Sequence, residues 1–235
     1  MADAQAGTQP LQVISSMATR RLLSQLAGDY ATQTGRQVEV QSVGGVDAQR
    51  RVADGEAFDV VMLANDALGR LGDAGRIDTA SIVDVVRSGI AVAVKAGATH
   101  PDIGTEAALR EAVLACRSLG YSTGPSGTHL EKLFASWGIA DAIKARMVQA
   151  RPGVPVASLV ASGEVELGFQ QLSELLGQPG IDILGPLPGD AQLVTTFSGA
   201  ICTVSTRADD ARDWLLFLAS PECTAAKQAC GMEPG

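Results

Sequence analysis

Residues 11–66, "LQVISSMATRRLLSQLAGDYATQTGRQVEVQSVGGVDAQRRVADGEAFDVVMLAND", decide the fold. An apolar, β-branched run breaks at Ser15-Ser16 and turns at once into helical spacing over 17–33. "QVEVQSV" (37–43) then reads as a second strand, 46–54 as a helix, "FDVVML" (58–63) as a third strand and 65–74 as another helix. Short β-type runs alternating with helical patterns predict βαβαβ, a parallel sheet covered by helices.

The alternation continues through "SGIAVAVKAG" (88–97), read as one long strand, helix 104–116, strand "RSLGYS" (117–122) and helix 126–137. A helix near 155–162, strands "ELGFQQ" (166–171) and "IDILG" (181–185), and a long run "QLVTTFSGAICTVS" (192–205) follow. The last helix, "RADDARDWLLFLASPECTAAKQAC" (207–230), is closed by Gly231. Two long strands bracket the middle third. The expected organisation is therefore lobe I at 1–90 plus 195–235, lobe II at 91–194, and a cleft between them spanned by two crossings.

The 235 residues are 46% apolar, enough to fill cores of this size, and the net charge is −8. No Lys/Arg block marks a phosphate-backbone footprint, so nucleic acid is excluded as a partner. No apolar run approaches the length of a membrane span, which excludes membrane insertion. The polar lead "MADAQAGTQP" (1–10) fits a mature exported chain with its signal removed and a start Met added, and fits a native cytosolic start equally well. Four cysteines without CxxC spacing and two histidines make a metal site improbable, and Cys223 and Cys230 lie beyond disulfide reach if both are helical. No cofactor motif is present.

Ligands of open α/β sheets bind beyond the carboxyl ends of the strands, where helix N-termini offer unpaired N–H groups and partial positive charge. Five such joints stand out: "ISSMA" (14–18), "SVGGVDAQRR" (42–51), "MLANDA" (62–67), "YSTGPSGTHLEKLF" (121–134) and "LGFQQLSE" (167–174). They supply the ligand-binding candidates Ser15, Ser16, Gly44, Gly45, Val46, Asn65, Ser122, Thr123, Ser126, Gly127, Thr128, Gln170 and Gln171. Arg20, one turn into the first helix, either forks onto a carboxylate or belongs to a solvated face. Serines before helices also serve simply as N-caps. Gly124 and Gly127 let backbone approach a ligand, but no Lys follows to complete a phosphate loop. His129 is the imidazole placed at a joint, either as a capping residue or as a ligand contact capable of acid–base work. Gln170 and Gln171 end an apolar strand and demand partners if buried.

The quoted stretch 11–66, with "ELGFQQLSE" (166–174) and the closing "FLASPECTAAKQACGMEPG" (217–235), resembles the molybdate-binding proteins, type II periplasmic solute-binding components of ABC transporters. The resemblance implies a two-lobed α/β fold, each lobe a mainly parallel sheet flanked by helices, with two hinge crossings. It also implies a periplasmic location, a small anion as ligand and an ABC permease as partner if the chain serves transport. Molybdate binders place a hydroxyl at the first joint, matched by Ser15 or Ser16. They place a serine at the second, where Gly44-Gly45 stand here, and a tyrosine at the fifth, where Gln171 stands. The departures point to a larger anion with planar ends, a di- or tricarboxylate. This scaffold also carries a cofactor-independent aconitate isomerase activity. The leading expectation is therefore an allylic proton shift between trans- and cis-aconitate, with Ser15, Ser16, Arg20 and the Gly127/Thr128 backbone as clamp. His129 and Ser16 are the catalytic candidates, and a non-catalytic solute-binding protein is the alternative.

Overall fold

The computed structural model describes residues 9–235, so most of the polar lead lies outside the described residues. Strand β1 (Leu11–Ser16) buries Leu11, Val13 and Ile14 and pairs in parallel with β2 (Val38–Val43) on one side and β3 (Val60–Ala64) on the other. A 3-10 turn at Met17–Thr19 leads from β1 into α1 (Arg20–Thr34), so the helix proper starts three residues later than its spacing predicts. Helices α2 (Gly45–Ala53) and α3 (Asn65–Asp73) complete the first series.

Strand β4 (Ile77–Lys95) begins at Ile77, not at residue 88. Its first half hides from a pattern search because Asp78, Ser81, Asp84 and Arg87 interrupt the apolar run, and the register shifts between Asp78 and Val83 and between Asp84 and Val86. The following elements are α4 (Glu106–Ala115), β5 (Leu119–Tyr121), α5 (Pro125–Ser136), α6 (Ala140–Ile143), β6 (Met147–Gln149), α7 (Val156–Ser162), β7 (Leu167–Gln171), α8 (Leu172–Leu175), β8 (Ile181–Pro186) and β9 (Val194–Cys202). The expected terminal helix is two, α9 (Ala208–Ala219) and α10 (Thr224–Ala229). Pro221 forces the preceding Ser220 into extended backbone, φ −65° and ψ 151°, which ends α9. A two-residue β10 (Glu233–Pro234) pairs with β4.

The strands run in the order β2-β1-β3-β9-β4-β7-β5-β6. Strand β4 is common to both halves: Ile77 to Gly89 pair antiparallel with β9, and Ile90 to Lys95 pair with β7 and β8. Strand β9 also pairs antiparallel with β3, and the pairings that involve neither β4 nor β9 are parallel, β2-β1-β3 in one half and β7-β5-β6 in the other. The cores divide along the same strand. Val85 and Val86 pack with Leu22, Leu26, Tyr30 and Trp214, whereas Ile90 and Val92 pack with Leu119, Phe134 and Phe169. The four cysteines are free and buried.

Two glutamine side chains fasten the place where β4 and β9 pass between the halves. Gln192 accepts from Ile90 N (2.8 Å) and donates to Ile90 O (3.0 Å), replacing a strand neighbour. Gln171 donates to the carbonyls of Ser88 (2.9 Å) and Gly89 (3.2 Å) and accepts from Thr195 Oγ1 (3.0 Å), gripping both crossings at once.

Candidate functional site

The carboxyl ends of the parallel strands face one another across a cleft with two compartments. The inner one, about 80 Å³, is lined by Ser16, Met17 and Ala18 after β1, by Gly44 and Gly45 after β2, and by Ser122 to Ser126 after β5. Arg151, Pro155, Gln170, Gln171, Glu174 and Phe197 complete it. The outer one, about 620 Å³, shares Ser16, Gly45, Thr123 and Phe197 and extends past Val46, Asn65, Arg70, Thr128, His129, Lys132 and Thr195. Gly44 brings the two walls close: a Cβ there would sit 3.8 Å from Gly153 N and 3.8 Å from the Pro152 Cβ on the opposite side.

The N-termini of α2, α3 and α5 open onto this space, and none carries a side-chain cap. Away from the cleft, α4 is capped by Thr105 Oγ1 accepting from Ala108 N at 3.1 Å, whereas α1, α9 and α10 have no side-chain cap either. The uncapped ends at the cleft leave N–H donors and partial positive charge directed at a ligand. Ser16 adds to them. Its hydroxyl is buried, caps nothing and has no hydrogen-bond partner among the described residues, which is also true of the Ser88 and Ser173 hydroxyls and of Trp214 Nε1; of these four only Ser16 lines the cleft, where a ligand can supply the missing bond.

The candidates from the sequence divide. Ser16, Gly44, Gly45, Ser122, Thr123, Ser126, Gln170 and Gln171 line the inner compartment, and Val46, Asn65, Thr128 and His129 the outer one. Ser15 does not reach the cleft, because strand alternation turns it to the other face, where its fully buried hydroxyl meets Ser42 Oγ at 2.8 Å. Arg20 likewise lies outside, in a surface groove with Ser24, Val38, Val40 and Ser42, because the 3-10 turn rotates the start of α1 away. Gly127 is a packing residue: a Cβ there would collide with the Ser122 carbonyl oxygen, so glycine lets α5 close onto its own entry loop. His129 Nε2 is held 2.8 Å from the Ala191 carbonyl oxygen, which can only accept, so this nitrogen donates. The Asn65 amide is engaged by Ser198 and by Asp84 Oδ1.

The two strand-end amides have protein partners. Gln171 grips the crossings as described, and Gln170 accepts from Val156 N (2.9 Å) while donating to Glu174 Oε1 (2.7 Å). Glu174 and Arg151 are the ionisable groups lining the inner compartment, and both escaped the sequence reading of roles. Burial pushes the Glu174 carboxyl up to about 7 against the lowering effect of the Gln170 hydrogen bond. Arg151 is exposed on the loop between β6 and α7 and brings a guanidinium to the same space.

Two α/β halves sharing continuous strands, with a cleft ringed by helix N-termini and small or hydroxylated residues, define a solute-binding protein. The chain belongs to the bacterial extracellular solute-binding protein family, whose model matches residues 11–233. It is 36% identical over 232 residues to an aconitate isomerase from a Pseudomonas species, covering 95% of this chain and 87% of that protein. The fold is that of the periplasmic molybdate-binding protein of Azotobacter vinelandii, with a TM-score of 0.80 at 21% identity, over 96% of this chain and 99% of that one. It is also that of the sulfate-binding protein SubI of Mycobacterium tuberculosis, with a TM-score of 0.78 at 16% identity, over 97% of this chain and 87% of that one. Among the described residues no helix is long and apolar enough to cross a membrane.

Proposed function

We propose that this chain is a cofactor-independent isomerase that interconverts trans- and cis-aconitate in the cleft between two lobes, 1–90 with 195–235 and 91–194. The observation that carries the reading is the buried Ser16 hydroxyl, without a partner among the described residues, beside the uncapped N-termini of α2 and α5, in a relative of an aconitate isomerase. One substrate carboxylate accepts from Ser16 and the backbone N–H groups that follow Gly44, a second lies over the entry to α5 at Thr123 to Ser126, and Arg151 opposes the total charge. The outer compartment continues the cleft towards Arg70 and Lys132, room that a bare tetrahedral oxyanion does not need. The isomerisation requires carboxylates held by fixed donors, because negative charge spreads into them as the allylic proton leaves. The periplasm is the proposed location.

A thermal-shift panel tests the ligand class. Trans-aconitate, cis-aconitate and citrate are expected to raise the melting temperature, each by mass action on the folded state. Stabilisation by molybdate alone would overturn the carboxylate reading, and stabilisation by aconitates without conversion would leave a solute-binding protein that passes a tricarboxylate to a permease.

A further inference from the structure

We infer that Glu174 is the catalytic base that carries the proton between the two carbons of the substrate, an assignment that rests on the function proposed above. Glu174 lines the inner compartment together with Ser16, on the one-turn helix α8, which packs against the Met17–Thr19 turn. One of its oxygens is fixed by Gln170, which is itself fixed by Val156 N, so the carboxyl is aimed by a rigid strand end rather than by a loop. The second oxygen has no hydrogen-bond donor from the described residues and is the one free to meet a substrate. The other ionisable group of that compartment, Arg151, brings a guanidinium and serves charge rather than proton transfer. His129 lines only the outer compartment, and its Nε2 is committed to the Ala191 carbonyl.

The step balances without any other reactant. The Glu174 carboxylate takes one proton from the substrate methylene carbon. The electron pair of that C–H bond becomes the new C=C bond, and the pair of the old C=C bond moves into the conjugated carboxylate as a dienolate. The Glu174 carboxylic acid then returns the proton to the former vinylic carbon as those electrons flow back. One group that both takes and gives a proton works best when its two forms are both populated near neutrality, and burial places this carboxyl there.

The test uses the whole protein in deuterium oxide, with NMR following both cis–trans conversion and deuterium entry into the methylene position. Glu174→Gln is expected to lower both rates by at least about a hundredfold while trans-aconitate affinity, read by calorimetry, changes only a few-fold. Glu174→Asp is expected to recover part of the rate, and the wild-type rate is expected to rise with pH through about 7. Glu174→Gln that converts aconitate at near wild-type rate would overturn the assignment while leaving the proposed function intact. Loss of conversion in His129→Ala alone, with Glu174→Gln active, would move the role to His129. A wild-type protein that neither converts nor exchanges aconitate would remove the proposed function and this assignment together.

Discussion

Gln170 and Glu174 are joined across the β7–α8 junction, Nε2 donating to Oε1 at 2.7 Å, and the other end of the same amide accepts from Val156 N at 2.9 Å. One side chain thus satisfies a helix N-terminus and orients a half-buried acid. Gln170→Leu removes both bonds. The expected loss is about 1–3 kcal/mol of stability, read from urea unfolding. The Glu174 carboxyl, having lost the hydrogen bond that lowers it, should titrate still higher in a pH–rate profile. An unchanged profile would separate the two residues functionally.

Burial of Glu174 links stability to pH. Its folded value of about 7 lies above the ordinary 4.5, so the folded state binds the proton more tightly than the unfolded one. The stabilisation is fully present below the ordinary carboxylate range and is lost as pH rises through about 7. The two values bound the difference at up to about 3 kcal/mol. Unfolding at pH 4.5 and pH 8 should therefore show wild type losing more stability than Glu174→Gln. Parallel losses would mean that the carboxyl is solvated in the folded protein.

Ser16 and Ser15 make a matched pair with opposite outcomes. Ser16→Ala removes a hydroxyl with no protein partner, so stability should hold or rise while trans-aconitate affinity falls by about tenfold to a hundredfold, the scale of a hydrogen bond to a charged group. Ser15→Ala breaks the bond to Ser42 and should lose about 1 kcal/mol of stability with affinity unchanged. Calorimetry and urea unfolding of the two variants separate the roles.

Arg151 and Arg20 extend that contrast to charge. Arg151→Ala should weaken trans-aconitate binding by at least about tenfold, with much of the loss reproduced in wild type by added salt. Arg20→Ala, in a groove outside the cleft, should leave affinity within experimental scatter. Equal effects would contradict the placement of the site.

Much of the fold was legible because the β–α alternation is written in short-range periodicity. The strands at 11–16, 38–43, 60–64 and 167–171 and the helices that follow the first three lie within a few residues of their expected limits. The first half of β4 was not legible, since its bulges and polar residues at the seam between the halves break the period of two. Ser16, Gly44, Gly45 and the Ser122 to Ser126 segment line the cleft, a placement the sequence makes legible because a strand-to-helix joint announces itself locally. Arg151 and Glu174 were not assigned a role, although "LGFQQLSE" was quoted as a joint. Arg151 sits on a loop carried into the cleft by the β5–β6 pairing, and Glu174 belongs to a helix of four residues with no periodicity to flag it. Arg20 lies in a groove outside the cleft, and the 3-10 turn that precedes its helix is not legible in the sequence.

The most direct test is proton NMR of the purified protein incubated separately with trans-aconitate and with cis-aconitate, in buffer without added cofactor. Both reactions are expected to converge on the same mixture of the two isomers, and Glu174→Gln is expected to leave each sample as it began. Persistence of pure trans- and pure cis-aconitate in the presence of folded wild-type protein would contradict the proposed isomerase function.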